Sequence, residues 1–121
     1  MTIIEAIARM EGFGVPGSRA ARNANPGNIN FAPWTTGYGA VLETIPDGLK
    51  EEPRFACFPT ADRGWAALRY LLNTRYAGMT VAAAFAKYAP PVENATNEYT
   101  ANVCAWCELT PETVLTASNI G

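Results

Sequence analysis

Histidine is absent from the whole chain of 121 residues. That removes Ser-His-Asp and Cys-His catalysis, histidine-based metal sites and imidazole acid–base chemistry together. Any enzymatic chemistry therefore falls to carboxylates, tyrosines or cysteines. Charge is sparse as well: 17% of residues are charged and the formal net charge is -2. Seven of the nine cations are arginines, scattered along the sequence rather than clustered. There is no basic field for nucleic acid, and no nucleic-acid partner is expected. No window approaches the ~20 apolar residues needed to cross a bilayer. The N-terminus lacks the basic start and long apolar run of a signal peptide. The expectation is a protein made in the cytoplasm, with no membrane span, whose export depends on another component.

Cysteine is scarce, at Cys57, Cys104 and Cys107. Cys104-Ala105-Trp106-Cys107 has C-x-x-C spacing, but the pattern around it is one continuous helix late in the chain. A redox motif belongs at the start of a helix after a strand, and that context is missing. Three cysteines without a fourth ligand make a poor zinc site. The expected role is that of small buried hydrophobes, with a disulfide open in an oxidising compartment. Neither a metal nor a cofactor is expected.

What the chain does have is apolar residues, 49% of the total. At this length they suit one compact domain, residues 1–121. The opening segment carries a helical stripe at Ile3, Ile4, Ile7 and Ala8. Gly12-Phe13-Gly14-Val15-Pro16-Gly17 is a breaker-rich loop. Ser18 suits the cap of a short helical turn over Arg19 to Asn23. Asn25-Pro26-Gly27-Asn28 forms a tight turn into a small sheet or hairpin within residues 29–58. Its strands are expected over Tyr38 to Ile45 and Arg54 to Phe58, with Pro46-Asp47-Gly48 as a turn between them.

From Thr60 onward the pattern is helical. The stripes are Trp65, Leu68, Leu72 and Tyr76, then Val81, Ala84, Phe85 and Tyr88, then Ala95, Tyr99, Val103 and Cys107. Pro90-Pro91 separates the second from the third, which starts near Asn94 as cap. Thr110-Pro111-Glu112 is expected to open a last helix, with a cap and a proline at its first position. The fold class is α+β, mainly helical, with a small antiparallel sheet inserted after the first helix.

Glu11 breaks the first stripe. It lies four residues beyond Ile7, where periodicity calls for an apolar side chain, and Gly12 follows as a helix terminator. Burial and the negative end of the helix dipole both disfavour its charged form, which is what a general acid near neutral pH needs. A frayed helix end with Glu11 turned into water is the ordinary alternative.

Three groups of residues surround this candidate. Arg22-Asn23-Ala24-Asn25-Pro26-Gly27-Asn28-Ile29 crowds amides around a turn, and amides suit sugar hydroxyls and acetamido groups, although turns commonly use the same residues. Tyr88 to Tyr99, with Asn94 and Thr96 between them, offers an aromatic sugar platform or else a capped helix with two core tyrosines. Glu43, Asp47, Glu51 and Glu52 supply carboxylates, more simply read as a solvated hairpin tip. A hydrolytic glycosidase wants a second carboxylate facing the acid, and Glu43 is the candidate.

Taken in order, these pieces resemble the lysozyme-like superfamily. The nearest likeness is to small phage and prophage muramidases and lytic transglycosylases, endolysin-like or virion-associated. The matched pieces are Glu11-Gly12, Arg22-Asn23-x-Asn25-Pro26-Gly27-Asn28-Ile29, Phe55-Ala56-x-Phe58-Pro59-Thr60, Gly64-x-x-Ala67-Leu68 and Tyr88-Ala89-Pro90-Pro91-x-Glu93-Asn94-x-Thr96-x-x-Tyr99. The resemblance implies a lysozyme-like fold, Glu11 as catalytic acid and a small sheet forming one lip of the cleft. It implies a floor near the acid formed by Asn94, Thr96 and Tyr99, while the amide turn offers Asn25 and Asn28 and the aromatic face offers Tyr88 as further candidate substrate contacts. The family-like turn would usually carry asparagine at Ala24, and often an acidic residue stands at Ala95.

The implied reaction is cleavage of the β-1,4 bond between N-acetylmuramic acid and N-acetylglucosamine in peptidoglycan glycan strands, by a monomer. A transglycosylase needs Glu11 alone, whereas a muramidase would add Glu43 or another hairpin acid. A non-catalytic phage structural or wall-binding protein is the competing expectation. The wall would be reached through a holin-type pore or by delivery inside a virion.

Overall fold

The computed structural model describes residues 1–89 and 93–121. Helix α1 (Ile3–Met10) begins in a reciprocal cap: the Thr2 hydroxyl accepts from the Glu5 N–H at 3.4 Å, and Glu5 Oε1 accepts from the Thr2 N–H at 2.8 Å. Ile3, Ile4, Ile7 and Ala8 are all buried, as their spacing predicts. The helix stops at Met10, and Gly12 takes the left-handed conformation at φ +75° that suits glycine after a helix end.

The chain divides into two compact units, Met1–Met10 with Arg69–Gly121, and Glu11–Leu68. The first is helical. It holds α1, the second half of α3 (Ala61–Arg75), α4 (Val81–Tyr88), α5 (Glu93–Cys107) and α6 (Ala117–Ile120). Helix α5 packs against α1 and α4, and α6 against α1. Phe85, Val81, Val103, Leu115 and Ile120 are buried here, and Arg9 lies 4.3 Å from the centroid of the Trp106 ring. Thr80 caps α4 by accepting from the Ala83 N–H at 3.2 Å. Pro90-Pro91, expected between the second and third stripes, lies outside the described residues. Helix α5 runs from Glu93, which puts Asn94 within its first turn.

The end of the chain departs from expectation. Thr110-Pro111-Glu112-Thr113 is a turn, closed by the Thr113 N–H on the Thr110 carbonyl at 3.0 Å. Val114 then bridges antiparallel to Thr80, and the last helix starts only at Ala117, capped by Thr116. A threonine followed by proline suits a β-turn as well as a helix start. Pairing decides between them: Leu115 donates to Met79 at 2.8 Å and Val81 donates to Thr113 at 2.8 Å.

The second unit carries the sheet, so the α+β class holds. Ser18 Oγ accepts from the Ala21 N–H at 3.1 Å and caps α2 (Arg19–Arg22). Strand β1 (Val41–Leu42) pairs antiparallel with β2 (Ala56–Cys57) in the register Val41 to Cys57 and Leu42 to Ala56. On the far side of β2, Ala56 donates to Ile29 at 2.9 Å and Phe31 donates to Arg54 at 2.8 Å. The sheet is shorter than its aromatic and β-branched residues suggest. Tyr38 belongs to a 3-10 helix over Pro33–Tyr38, started by proline and ended by Gly39 at φ +81°. The Pro46-Asp47-Gly48 turn forms, with Leu49 donating to Pro46 at 3.2 Å and Gly48 at φ +88°. No helix among the described residues is long and apolar enough to cross a membrane.

Gly64 sets how closely α3 approaches the turn before the sheet. A Cβ there would collide with the Ala24 carbonyl oxygen and lie 2.8 Å from Pro26 Cδ. The obstructing atoms are backbone and a proline ring, which yield little. Gly64→Ala is expected to destabilise the protein by about 2 kcal/mol, against the usual stabilising effect of alanine inside a helix. Denaturant unfolding of the two proteins measures it.

Candidate functional site

Glu11 is half-buried just beyond α1, and its position depends on two turns. In the first, the Gly12 carbonyl accepts from the Ser18 hydroxyl at 2.7 Å and the Val15 N–H at 2.9 Å, which ties the loop to the start of α2. In the second, α2 ends at Asn23, Ala24 takes φ +48° and Asn28 takes φ +46°. The Asn28 N–H closes the turn on the Asn25 carbonyl at 3.1 Å. Asn28 Nδ2 then donates to Glu11 Oε1 at 3.0 Å, across 17 residues of sequence. Asn28 Oδ1 is buried and has no hydrogen-bond partner among the described residues.

Asn25, although expected to meet substrate, is 0% exposed. Its Nδ2 donates to the Ile29 and Ala56 carbonyls at 3.0 and 2.9 Å, and its Oδ1 accepts from the Ile29 N–H at 2.9 Å. This side chain staples the turn to β2 and presents nothing at the surface. Ala24 occupies a left-handed conformation that alanine disfavours by about 1–2 kcal/mol and asparagine tolerates. Ala24→Gly is expected to stabilise the chain by about 1 kcal/mol, read as a higher midpoint in denaturant unfolding.

Glu43, expected at a solvated tip or facing the acid, is buried at 2% exposure. Its Oε1 accepts from Arg19 Nε and Asn23 Nδ2, both at 3.0 Å. Its Oε2 accepts from Arg19 Nη2 at 2.7 Å and from the N–H groups of Arg54 at 3.0 Å and Phe55 at 2.7 Å. Burial pushes the carboxyl pKa up, but the bonds from Arg19, Asn23, Phe55 and Arg54 together outweigh it and hold the group at about 2. Glu51 is half-buried, with one oxygen 3.3 Å from Arg19 Nε and 3.0 Å from Arg22 Nη2. Asp47 and Glu52 are exposed, as a hairpin tip should be.

Because the folded state lowers the Glu43 pKa, the stability it contributes is present above about pH 4.5 and is lost as pH falls toward about 2. Glu43→Gln is expected to cost on the order of 3 kcal/mol at neutral pH. Thermal unfolding across that interval should fall steeply for the natural protein and less for the variant.

The remaining candidates sit in the helical unit. Tyr99 is buried and stacks on Phe85, with centroids 5.1 Å apart at 28°. Tyr88 is half-buried, edge-on to Tyr76 at 5.7 Å and to Phe85 at 6.2 Å. Both tyrosine rings are built into an aromatic cluster of that unit's core. Thr96 is half-buried on α5, and the Asn94 side chain lies outside the described residues. Cys104 and Cys107 fall at the end of α5, where burial pushes both thiols up and away from the thiolate. All three cysteines are free and only half-buried. Among the described residues, no group of three or more Cys, Asp or Glu is placed to hold a metal ion.

Arg19 and Asn23 matter more to this region than local sequence signals. Arg19 reaches Glu43 across 24 residues, and nothing in the spacing announces the pair. Asn23 lies in the amide-rich turn, which was the one available hint. No family model matches the chain, and no curated protein is significantly similar to it in sequence.

Proposed function

We propose that this protein cleaves peptidoglycan glycan strands, with Glu11 as general acid and then general base, by the lytic transglycosylase route. The observation that carries the reading is the hydrogen bond from Asn28 Nδ2 to Glu11 Oε1 at 3.0 Å. It joins two pieces of the lysozyme-like resemblance, the glutamate-glycine helix end and the Asn-Pro-Gly-Asn turn, at the carboxylate that would react. A lysozyme-like fold is part of the same proposal.

In the reaction, the Glu11 carboxylic acid donates its proton to the glycosidic oxygen as the bond to the anomeric carbon of N-acetylmuramic acid breaks. The charge develops as an oxocarbenium-like centre. Glu11, now a carboxylate, takes the proton of the hydroxymethyl group on the same sugar. That oxygen bonds to the anomeric carbon, the anhydro ring closes and Glu11 is protonated again. Neither an ordered water nor a second carboxylate is required.

The state of Glu43 favours this route over hydrolysis. A carboxylate held at about 2 by five donors is a weak base with no lone pair left to activate water. The reading draws on Glu11 and Asn28, and takes nothing from Tyr88, Asn94, Thr96 or Tyr99. Delivery through a holin-type pore or within a virion belongs to the same proposal.

Incubation with purified cell wall, followed by mass analysis of the fragments, tests it. Anhydro-ended fragments are expected from the natural protein, with at least a ~100-fold loss in Glu11→Gln. Reducing ends without anhydro ends would replace the transglycosylase by a muramidase. Binding without cleavage by either protein would make this a wall-binding module.

A further inference from the structure

Resting on Glu11 as the acid of the proposed reaction, we infer that Asn28 is its positioning residue, with a side-chain amide that turns end for end as Glu11 gains and loses its proton. Two asparagines in one turn make the contrast. Asn25 is engaged at both ends of its amide, so its orientation is set. Asn28 has one end on Glu11 and the other buried without a partner. Among the described residues, nothing on the far side of the Asn28 amide holds it as a permanent donor.

The orientation with Nδ2 toward Glu11 suits the carboxylate, which only accepts. A protonated Glu11 carries an O–H donor instead. A half-turn about the terminal side-chain torsion presents Oδ1 to it, and the oxygen that was buried without a partner gains one. That torsion is broad and two-fold for asparagine, so the two orientations occupy nearly the same volume. An amide locked as donor would favour the carboxylate throughout and disfavour the protonated form that the first step uses. An amide that turns serves acid and base in the same place.

The backbone supplies the pivot. Asn28 is held at φ +46°, with its N–H on the Asn25 carbonyl at 3.1 Å. Within the same unit, Arg19 pairs with Glu43 and Glu51, and Arg22 pairs with Glu51.

The left-handed backbone also makes the test selective. Asn28→Gly removes the amide yet keeps a residue at ease at positive φ, whereas Asn28→Ala removes the amide and strains the backbone. In the full chain, Asn28→Gly is expected to lower kcat on cell wall about 100-fold. KM should stay within about twofold, and Tm should stay near that of the natural protein. Asn28→Ala should show the same kcat loss with a lower Tm. Asn28→Asp, whose ionised side chain only accepts, should not restore the rate. In nuclear magnetic resonance spectra, the Asn28 side-chain amide protons should shift in step with the Glu11 carboxyl carbon as pH is varied, and lose that dependence in Glu11→Gln.

Wild-type kcat in Asn28→Gly overturns the positioning role. Amide signals that stay flat while Glu11 titrates overturn the turning amide. If the natural protein itself leaves cell wall uncut, it is the proposed function that fails. The coupled titration then decides the inference alone: signals that move together support it, and flat signals overturn it.

Discussion

The sheet-bearing unit depends on one buried carboxylate. Glu43 reaches across the chain to Arg19 and Asn23 on and just after α2, and to the backbone N–H groups of Arg54 and Phe55 leading into β2. Taking a carboxylate out of water is unfavourable unless its lone pairs are met by good donors. Here five donors meet it, two of them from one arginine in a forked geometry. The arginine is held in turn: Arg19 Nη2 also donates to the Glu52 carbonyl at 2.6 Å, and its guanidinium lies 4.5 Å from the centroid of the Phe55 ring. With the two strands only two residues long each, this polar hub does what a longer ladder would do elsewhere. It sets where α2 ends and so where the turn carrying Asn28 begins.

Downstream of that hub, each residue of the turn has a separate physical task. Asn25 closes the turn onto β2 from inside. Ala24 and Asn28 supply the left-handed corners. Gly64 leaves the room that the Ala24 carbonyl needs. The product of these constraints is one amide aimed at one carboxylate seventeen residues away. A run of amides that looks in sequence like a sugar-binding surface is therefore divided between Asn23 and Asn25, which bond within the unit's interior, and Asn28, whose amide meets Glu11. Burial is what divides it.

Much of the helical architecture was legible beforehand, because a 3.6-residue period states which face is buried. Ile3, Ile4 and Ile7, Leu68 and Leu72, Val81, Ala84 and Phe85, and Tyr99 and Val103 are buried as their stripes require. The Ser18 cap and the Pro46-Asp47-Gly48 turn rest on equally local chemistry. The same local rules failed at Thr110-Pro111, where turn and helix start share residues, and at Tyr38, where an aromatic residue ended a 3-10 helix instead of opening a strand. The cap formed by Thr2 and Glu5 has the same local spacing signal.

The sequence by itself determined which faces of the helices are buried and which side-chain chemistries the chain offers. Histidine is absent, and a glutamate stands where the first apolar stripe should continue. Only the tertiary structure decided which carboxylate is occupied and which amide is aimed. Glu43 and Arg19, or Asn28 and Glu11, meet through long-range contacts that no local periodicity encodes. Whether a polar side chain is a surface group or a buried strut depends on what the fold brings to it, and hydrogen-bond satisfaction in the interior is settled only after the chain has closed.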